Sequence, residues 1–318
     1  KVGTRSVNFS TPSTGIETGK GLRLRVLSKY SGVPSMACDV SSYGQAEDYT
    51  VYFEHTFAWD GSSGTDWAVA ANWVNDLVPV ASSEVVIPGG CSNYPVLASG
   101  VACKDLTISE GASLVINLGA ALTITGDLTN EAGAEGLIIE SDAGGTGSLL
   151  HSTTGVQATI ERYIGGSSWG SPDDGWHLLS SPVASQSVSD FTVDPATDYD
   201  FYAWSEAGDE WVNFKDGSFS VFNNGNNFVP GRGYLIAYKN TVIQRFSGVV
   251  NTADVTMNLT RTGSNDYAGF NLIGNPFASA VSWNPDWASG NVGGVAYIWD
   301  EAGKDYIPVE SGDVIPSM

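Results

Sequence analysis

Leu106-Thr107-Ile108, Leu114-Val115-Ile116 and Leu122-Thr123-Ile124 are three apolar triplets set eight residues apart, and their reading decides the fold. Val85-Val86-Ile87 precedes them and Leu137-Ile138-Ile139 follows, with glycines at Gly111, Gly119, Gly126 and Gly136 between. In an extended triplet the outer two side chains share one face and the middle one takes the other. Two residues therefore enter a narrow core, one points out, and a glycine turn carries the chain to the next sheet face. That is the pattern of a solenoid. A meander sandwich with unusually short strands is the competing reading.

Upstream of the triplets lie Trp59-Asp60-Gly61, Trp67, Asn72-Trp73 and Pro79. Together, residues 54–165 resemble the β-solenoid-like modules of secreted bacterial proteins, which open with a Trp-x-Gly, Asn-Trp, Pro segment. The resemblance implies that the tryptophans cap the end of the solenoid, which would otherwise expose strand edges and core.

Downstream, residues 166–318 contain an internal duplication. Gly175-Trp176-His177-Leu178-Leu179-Ser180-Ser181-Pro182-Val183-Ala184-Ser185 recurs as Gly269-Phe270-Asn271-Leu272-Ile273-Gly274-Asn275-Pro276-Phe277-Ala278-Ser279, at an offset of 94. Tyr202-Ala203-Trp204-Ser205-Glu206-Ala207-Gly208-Asp209-Glu210-Trp211 recurs as Tyr297-Ile298-Trp299-Asp300-Glu301-Ala302-Gly303-Lys304-Asp305-Tyr306, at an offset of 95. The second block reads as a hairpin with aromatics flanking an Ala-Gly turn, the first as a buried strand ended by proline. Trp176 and Leu178, like Phe270 and Leu272, are expected to share the inward face. The copies span about 175–238 and 269–318. Val229-Pro230 leads into the strand Tyr234 to Tyr238, whereas Ile315-Pro316 is followed only by Ser317 and Met318. The second copy is therefore expected to lack its closing strand and to present an open sheet edge. With Lys1 at the start in place of Met, the sequence reads as a segment of a longer chain.

Residues 1–53 form a third region. Leu22 to Leu27 alternates Leu or Val with Arg, as in a sandwich strand with one face in solvent. Gly44-Gln45-Ala46-Glu47-Asp48-Tyr49 follows, an acidic turn leading into a strand. This stretch resembles the end of the domain named for its Gly-Glu-Val-Glu-Asp motif, found in large secreted proteins of Bacteroidetes-type bacteria. Gln45 and Ala46 stand where that motif has Glu and Val. In that family a cysteine upstream of the motif commonly pairs with one near the domain start, which implies a partner for Cys38 before Lys1. The duplicated block in turn resembles the region preceding the sorting domain of type IX secretion cargo in the same bacteria. No segment shows a helical apolar stripe, so the fold class is all-β: a partial β-sandwich, a short solenoid-like module and an internally duplicated β-sandwich region.

The chain carries 14 Lys and Arg against 35 Asp and Glu, a net charge of −21. A field of that sign repels phosphate backbones and anionic lipid, which argues against nucleic-acid and membrane-surface binding. No apolar run reaches the roughly 20 residues of a membrane helix, so membrane insertion is not expected. Charged residues make up 15% of the chain, against about a quarter in an average soluble domain. The surface polarity must come from Ser, Thr, Asn and Gly, a composition of extracellular character.

Cys91 and Cys103 bracket a short turn-like stretch, and an oxidising compartment favours a disulfide between them. Two buried free thiols are the alternative. His55, His151 and His177 sit singly, outside any zinc spacing. Adjacent carboxylates such as Asp209-Glu210 point to opposite faces of a strand, so no glycosidase pair is legible. Calcium is the one metal with candidates, Asp173 and Asp174 together and Asp194, Asp198 and Asp200 together. No organic cofactor is expected. Trp204, Trp211, Trp299 and Tyr306 flank the hairpin turns and are candidates for stacking on sugar rings, with core packing as the alternative.

These readings describe a non-catalytic structural or adhesive segment of an extracellular or cell-surface protein, with other surface proteins or polysaccharide as partners. A polysaccharide-binding module attached to a secreted enzyme is the alternative.

Overall fold

The computed structural model describes residues 22–30, 36, 44–51, 56–74, 76–170, 175–192, 197–284, 286, 292–293, 295–300 and 303–317. The first element is a hairpin in which β1 (Leu22–Lys29) pairs antiparallel with β2 (Gly44–Val51). Arg25 and Asp48 face each other across it at 2.6 Å, and the guanidinium holds the Asp48 carboxyl below the usual carboxylate range. Leu24, Val26 and Tyr49 stand exposed on this ladder.

From β3 (Thr56–Ala58) onward the chain winds through three parallel sheets. The first coil is β4 (Glu84–Ile87), β5 (Val96–Leu97) and β6 (Val101–Cys103). The second is β7 (Asp105–Ile108), β8 (Leu114–Ile116) and β9 (Ala121–Ile124). The third is β10 (Leu128–Asn130), β11 (Leu137–Ile139), a small hairpin of β12 (Ser141–Asp142) and β13 (Gly145–Thr146), and then β14 (Ser148–Leu150). Val85, Leu106 and Leu128 stack in the first sheet, and Leu97, Ile116 and Ile139 in the second. Leu122 and Leu149 stack in the third. The eight-residue recurrence thus carries the chain from one sheet to the next within a coil, through β7, β8 and β9. In each triplet the outer pair is buried and the middle residue half-buried, as the alternation requires.

The start of the stack is closed by tryptophan. Trp59, Trp67 and Trp73 are all buried, with Trp73 edge-on to Trp59 at 5.1 Å and to Trp67 at 4.7 Å. The indole Nε1–H of Trp59 donates to Asn93 O and that of Trp73 to Trp67 O, both at 2.8 Å. Thr65 O accepts from the Val96 N–H, tying the cap to the edge of the second sheet.

At the far end the second sheet continues through β15 (Gln157–Ile164), which is parallel to β11 on one side. The duplicated region follows. Its first copy is an antiparallel sheet of β16 (His177–Leu179), β17 (Tyr199–Ser205), β18 (Glu210–Asn213) and β19 (Tyr234–Tyr238), in the order β16-β19-β17-β18. A single helical turn, α1 (Phe219–Phe222), lies between β18 and β19. Phe201 meets Tyr234 at 5.3 Å and Phe228 at 5.7 Å, and Phe191 meets Phe246 at 4.5 Å, in an aromatic core. β20 (Val242–Val249) then pairs antiparallel with β15 along its whole length. One sheet therefore runs from the solenoid into the duplicated region. Glu161, 7% exposed, sits opposite Arg245 in this ladder and accepts from it at 2.8 Å.

The second copy holds β21 (Val281–Ser282), β22 (Ala296–Asp300), β23 (Asp305–Val309) and β24 (Val314–Ile315). The two hairpins share their strand pairing and turn hydrogen bond at the repeat offset. Trp204 faces Trp211 as Trp299 faces Tyr306. Ser205 Oγ accepts from the Gly208 N–H at 3.0 Å, and Asp300 Oδ2 from the Gly303 N–H at 3.1 Å. Asp209 and Lys304 both take the left-handed conformation, with φ of 51° and 52°. After the proline, Ser187 bridges Asn227 in the first copy and Ser282 pairs with Val314 in the second.

The first strand of each copy departs from expectation. In β16 the buried residues are His177 and Leu179, while Leu178 is half-buried. His177 can point inward because its Nε2 lies 3.0 Å from Gly165 O. In the second copy Leu272 and Ile273 form no full strand: Ile273 makes a single bridge to Arg232 and is 42% exposed. The two copies are equivalent in their hairpins and turns but not in this core strand.

Candidate functional site

The hairpin aromatics are brought together in pairs. Trp204 and Trp211 lie with ring centroids 5.3 Å apart at 61°, and Trp299 and Tyr306 5.2 Å apart at 65°. These are edge-to-face contacts, so neither pair forms one flat platform. Trp204 donates from its indole to Phe270 O at 2.7 Å, which commits it to the contact between copies. Trp211 and Tyr306 are exposed.

Trp299 and Lys304 form one wall of a cleft of about 210 Å³. The opposite wall is Gly165, Gly166, Gly175, Trp176 and His177, with Trp176 edge-on to Tyr202 at 5.8 Å. The cleft thus gathers one residue of the proposed sugar-stacking set, Trp299, with a second tryptophan that sequence reasoning assigned to a buried strand. A side chain at Gly166 would strike the Asn240–Thr241 backbone, and one at Gly175 would strike Ser167. What the arrangement offers chemically is aromatic surface beside an ammonium group.

The candidate calcium ligands are not assembled by the described residues. Asp198 faces Lys239 at 3.5 Å and Asp200 faces Lys215 at 2.9 Å, so each carboxylate has an ammonium partner. Asp173, Asp174 and Asp194 lie outside the described residues, as do Cys38 and His55. Among the described residues no group of three metal-ligating side chains comes together.

The expected Cys91–Cys103 disulfide is not formed; both are free thiols. Cys103 occupies an inward position on β6, stacked beneath Ile124, and is fully buried. Burial pushes its thiol up to about 12. Cys91 lies instead in the turn after β4, its Sγ 3.4 Å from Pro88 O and 3.7 Å from Trp59 O. The spacing of the two cysteines spans a change of sheet face, which sequence spacing does not reveal.

Glu206 is the functional-looking residue that sequence reasoning passed over. It is 8% exposed and accepts from Thr260 Oγ1 at 2.7 Å, Thr262 N–H at 2.6 Å and Gly269 N–H at 2.9 Å. These hydrogen bonds, Thr260 foremost, hold its carboxyl at about 2. It ties the turn of the first hairpin to the start of the second copy. The one sequence signal was its recurrence as Glu301 in the repeat. Asn251 performs a related task, donating from Nδ2 to Ser181 O at 3.3 Å in one copy and Pro276 O at 2.9 Å in the other.

A capped parallel solenoid that runs through a shared sheet into a duplicated antiparallel region defines an all-β protein. The chain belongs to the family described as Domain of unknown function (DUF8693), which it matches over residues 58–310. It is 25% identical over 304 residues to the minor fimbrium subunit Mfa5 of Porphyromonas gingivalis, an alignment covering 86% of this chain and 24% of that protein. The chain thus spans about a quarter of the length of that relative. No solved structure matches it.

Proposed function

We propose that this chain is a structural and adhesive segment of a large cell-surface protein, lying outside the cell and holding other parts of that protein away from its attachment. The observation that carries the reading is the similarity to a fimbrium subunit across most of the chain. The sheet running unbroken from β5 to β20 supports it, because a continuous ladder spaces its ends rigidly. The resemblance to type IX cargo supports export by that route in a Bacteroidetes-type bacterium. Surface proteins are the proposed partners. Antibody labelling of intact cells should detect the segment, and protease added to those cells should remove it. Labelling that requires lysis would overturn the proposal.

The cleft between Trp176 and Trp299 favours a second reading, in which the segment also binds polysaccharide. A glycan array decides it. Binding lost in Trp299→Ala and kept in Trp211→Ala supports the cleft as the site; no binding by the unmodified protein removes this reading.

A further inference from the structure

We infer that the cleft between Trp176 and Trp299 selects an anionic sugar ring, with Lys304 as the residue that sets the preference; this rests on the polysaccharide reading of the same cleft. The repeat shows how the cleft arises. Trp204 and Trp299 are equivalent residues of the two hairpins, and Trp176 and Phe270 are equivalent residues at the start of each copy. The copies therefore meet twice, each hairpin against the start of the other copy. One meeting is closed by hydrogen bonds: Trp204 Nε1 donates to Phe270 O at 2.7 Å, the Gly269 N–H to Glu206 at 2.9 Å, and Asn265 Nδ2 to Asp209 at 2.7 Å. At the other, Trp299 and Trp176 line a space of about 210 Å³. A second ring backs each indole, Tyr306 at 5.2 Å from Trp299 and Tyr202 at 5.8 Å from Trp176. The aromatic walls are thus set before a ligand arrives. The space lies below the roughly 300 Å³ at which sites for drug-sized ligands begin, so it suits one ring and not a run of chain.

The charge preference follows from position 304. Lys304 stands where the first copy has Asp209, and both have left-handed backbone, with φ of 52° and 51°. Aspartate and asparagine enter that region readily, whereas lysine is disfavoured there. An ammonium is therefore held at the cleft in a conformation that the first copy's residue adopts more easily, and such backbone clusters at ligand sites. Among the described residues that line the cleft, Lys304 alone carries a fixed charge. A carboxylate or sulfate on a sugar whose C–H face lies on an indole would meet this ammonium in a charge-assisted hydrogen bond. The chain's net charge of −21 does not prevent this. A single anionic ring senses chiefly the groups within the screening length of about 8 Å at physiological salt, whereas a polyanion meets the whole surface.

An array of sialylated, uronate-bearing, sulfated and neutral glycans, followed by titration of the tightest ligand, tests this on the whole chain. Binding should be confined to the acidic glycans, and the array separates carboxylate from sulfate. Lys304→Asn should weaken it by about tenfold or more, the worth of a charge-assisted hydrogen bond. The Tm of that variant should hold or rise, because asparagine accepts the left-handed backbone. Trp211→Ala should bind as the unmodified protein does. Neutral glycans bound as tightly as acidic ones, with binding lost in Trp299→Ala, would overturn the charge preference and leave the polysaccharide reading standing. No binding to any glycan would remove both. Acidic glycans bound equally well by Lys304→Asn would overturn the inference. So would a lower Tm in that variant, because the lysine would then serve stability.

Discussion

Glu206 shows what three hydrogen bonds do to one carboxylate. Two backbone N–H groups and a threonine hydroxyl stabilise its charged form, and its folded pKa falls to about 2, below the ~4.3 of an ordinary glutamate. A depressed carboxylate contributes stability that is present above the unfolded pKa and lost as pH falls through the folded one. The Tm should therefore decline between about pH 5 and pH 2. Glu206→Gln should lower the Tm at neutral pH and flatten that decline; an unchanged slope in the variant would show that other carboxylates govern it. This role is hard to read from sequence, since an acidic residue in a Glu-Ala-Gly turn reads as solvated. Cys103 misled in the opposite direction. Its pairing looked attractive from spacing, but it occupies the place of an apolar side chain in a column with Ile124, where a free thiol behaves as a small hydrophobe.

At the scale of elements, the triplets were legible because alternation is strict when both faces are defined. The strand His177–Leu179 was not, because Trp176-His177-Leu178-Leu179 can place either pair inward. A carbonyl from Gly165 decides the matter by accommodating His177, and that contact lies outside the strand itself. Truncating Leu179 to Ala should accordingly cost about 2–5 kcal/mol by leaving a cavity, and Leu178→Ala clearly less. Urea unfolding of both variants checks this; equal losses would contradict the assignment of faces. The second copy departs from the first for a related reason. In the first, α1 and its flanks separate β18 from Val229 and supply Phe219 to the core. In the second, β23 passes through the turn at Gly312 directly into β24. Its hairpin geometry survives because it is local, while its core strand does not, because among the described residues no counterpart of α1 and Phe219 covers it.

For the whole molecule, the joining of solenoid and duplicated region through β15 and β20 has a mechanical consequence. Ladder hydrogen bonds between coils run along the stacking direction, so a pull in that direction opens them one after another instead of shearing many at once. Each coil contacts only its neighbours, and repeat proteins of this kind come apart in units. Stretched between its ends in an optical trap, the solenoid should lengthen in steps. Releasing the chain from Val85 to its stacked partner Leu106 would add about 70 Å of contour. A tether on a cell surface that yields in such steps limits the peak force reaching whatever it holds, and rewinds when the load passes.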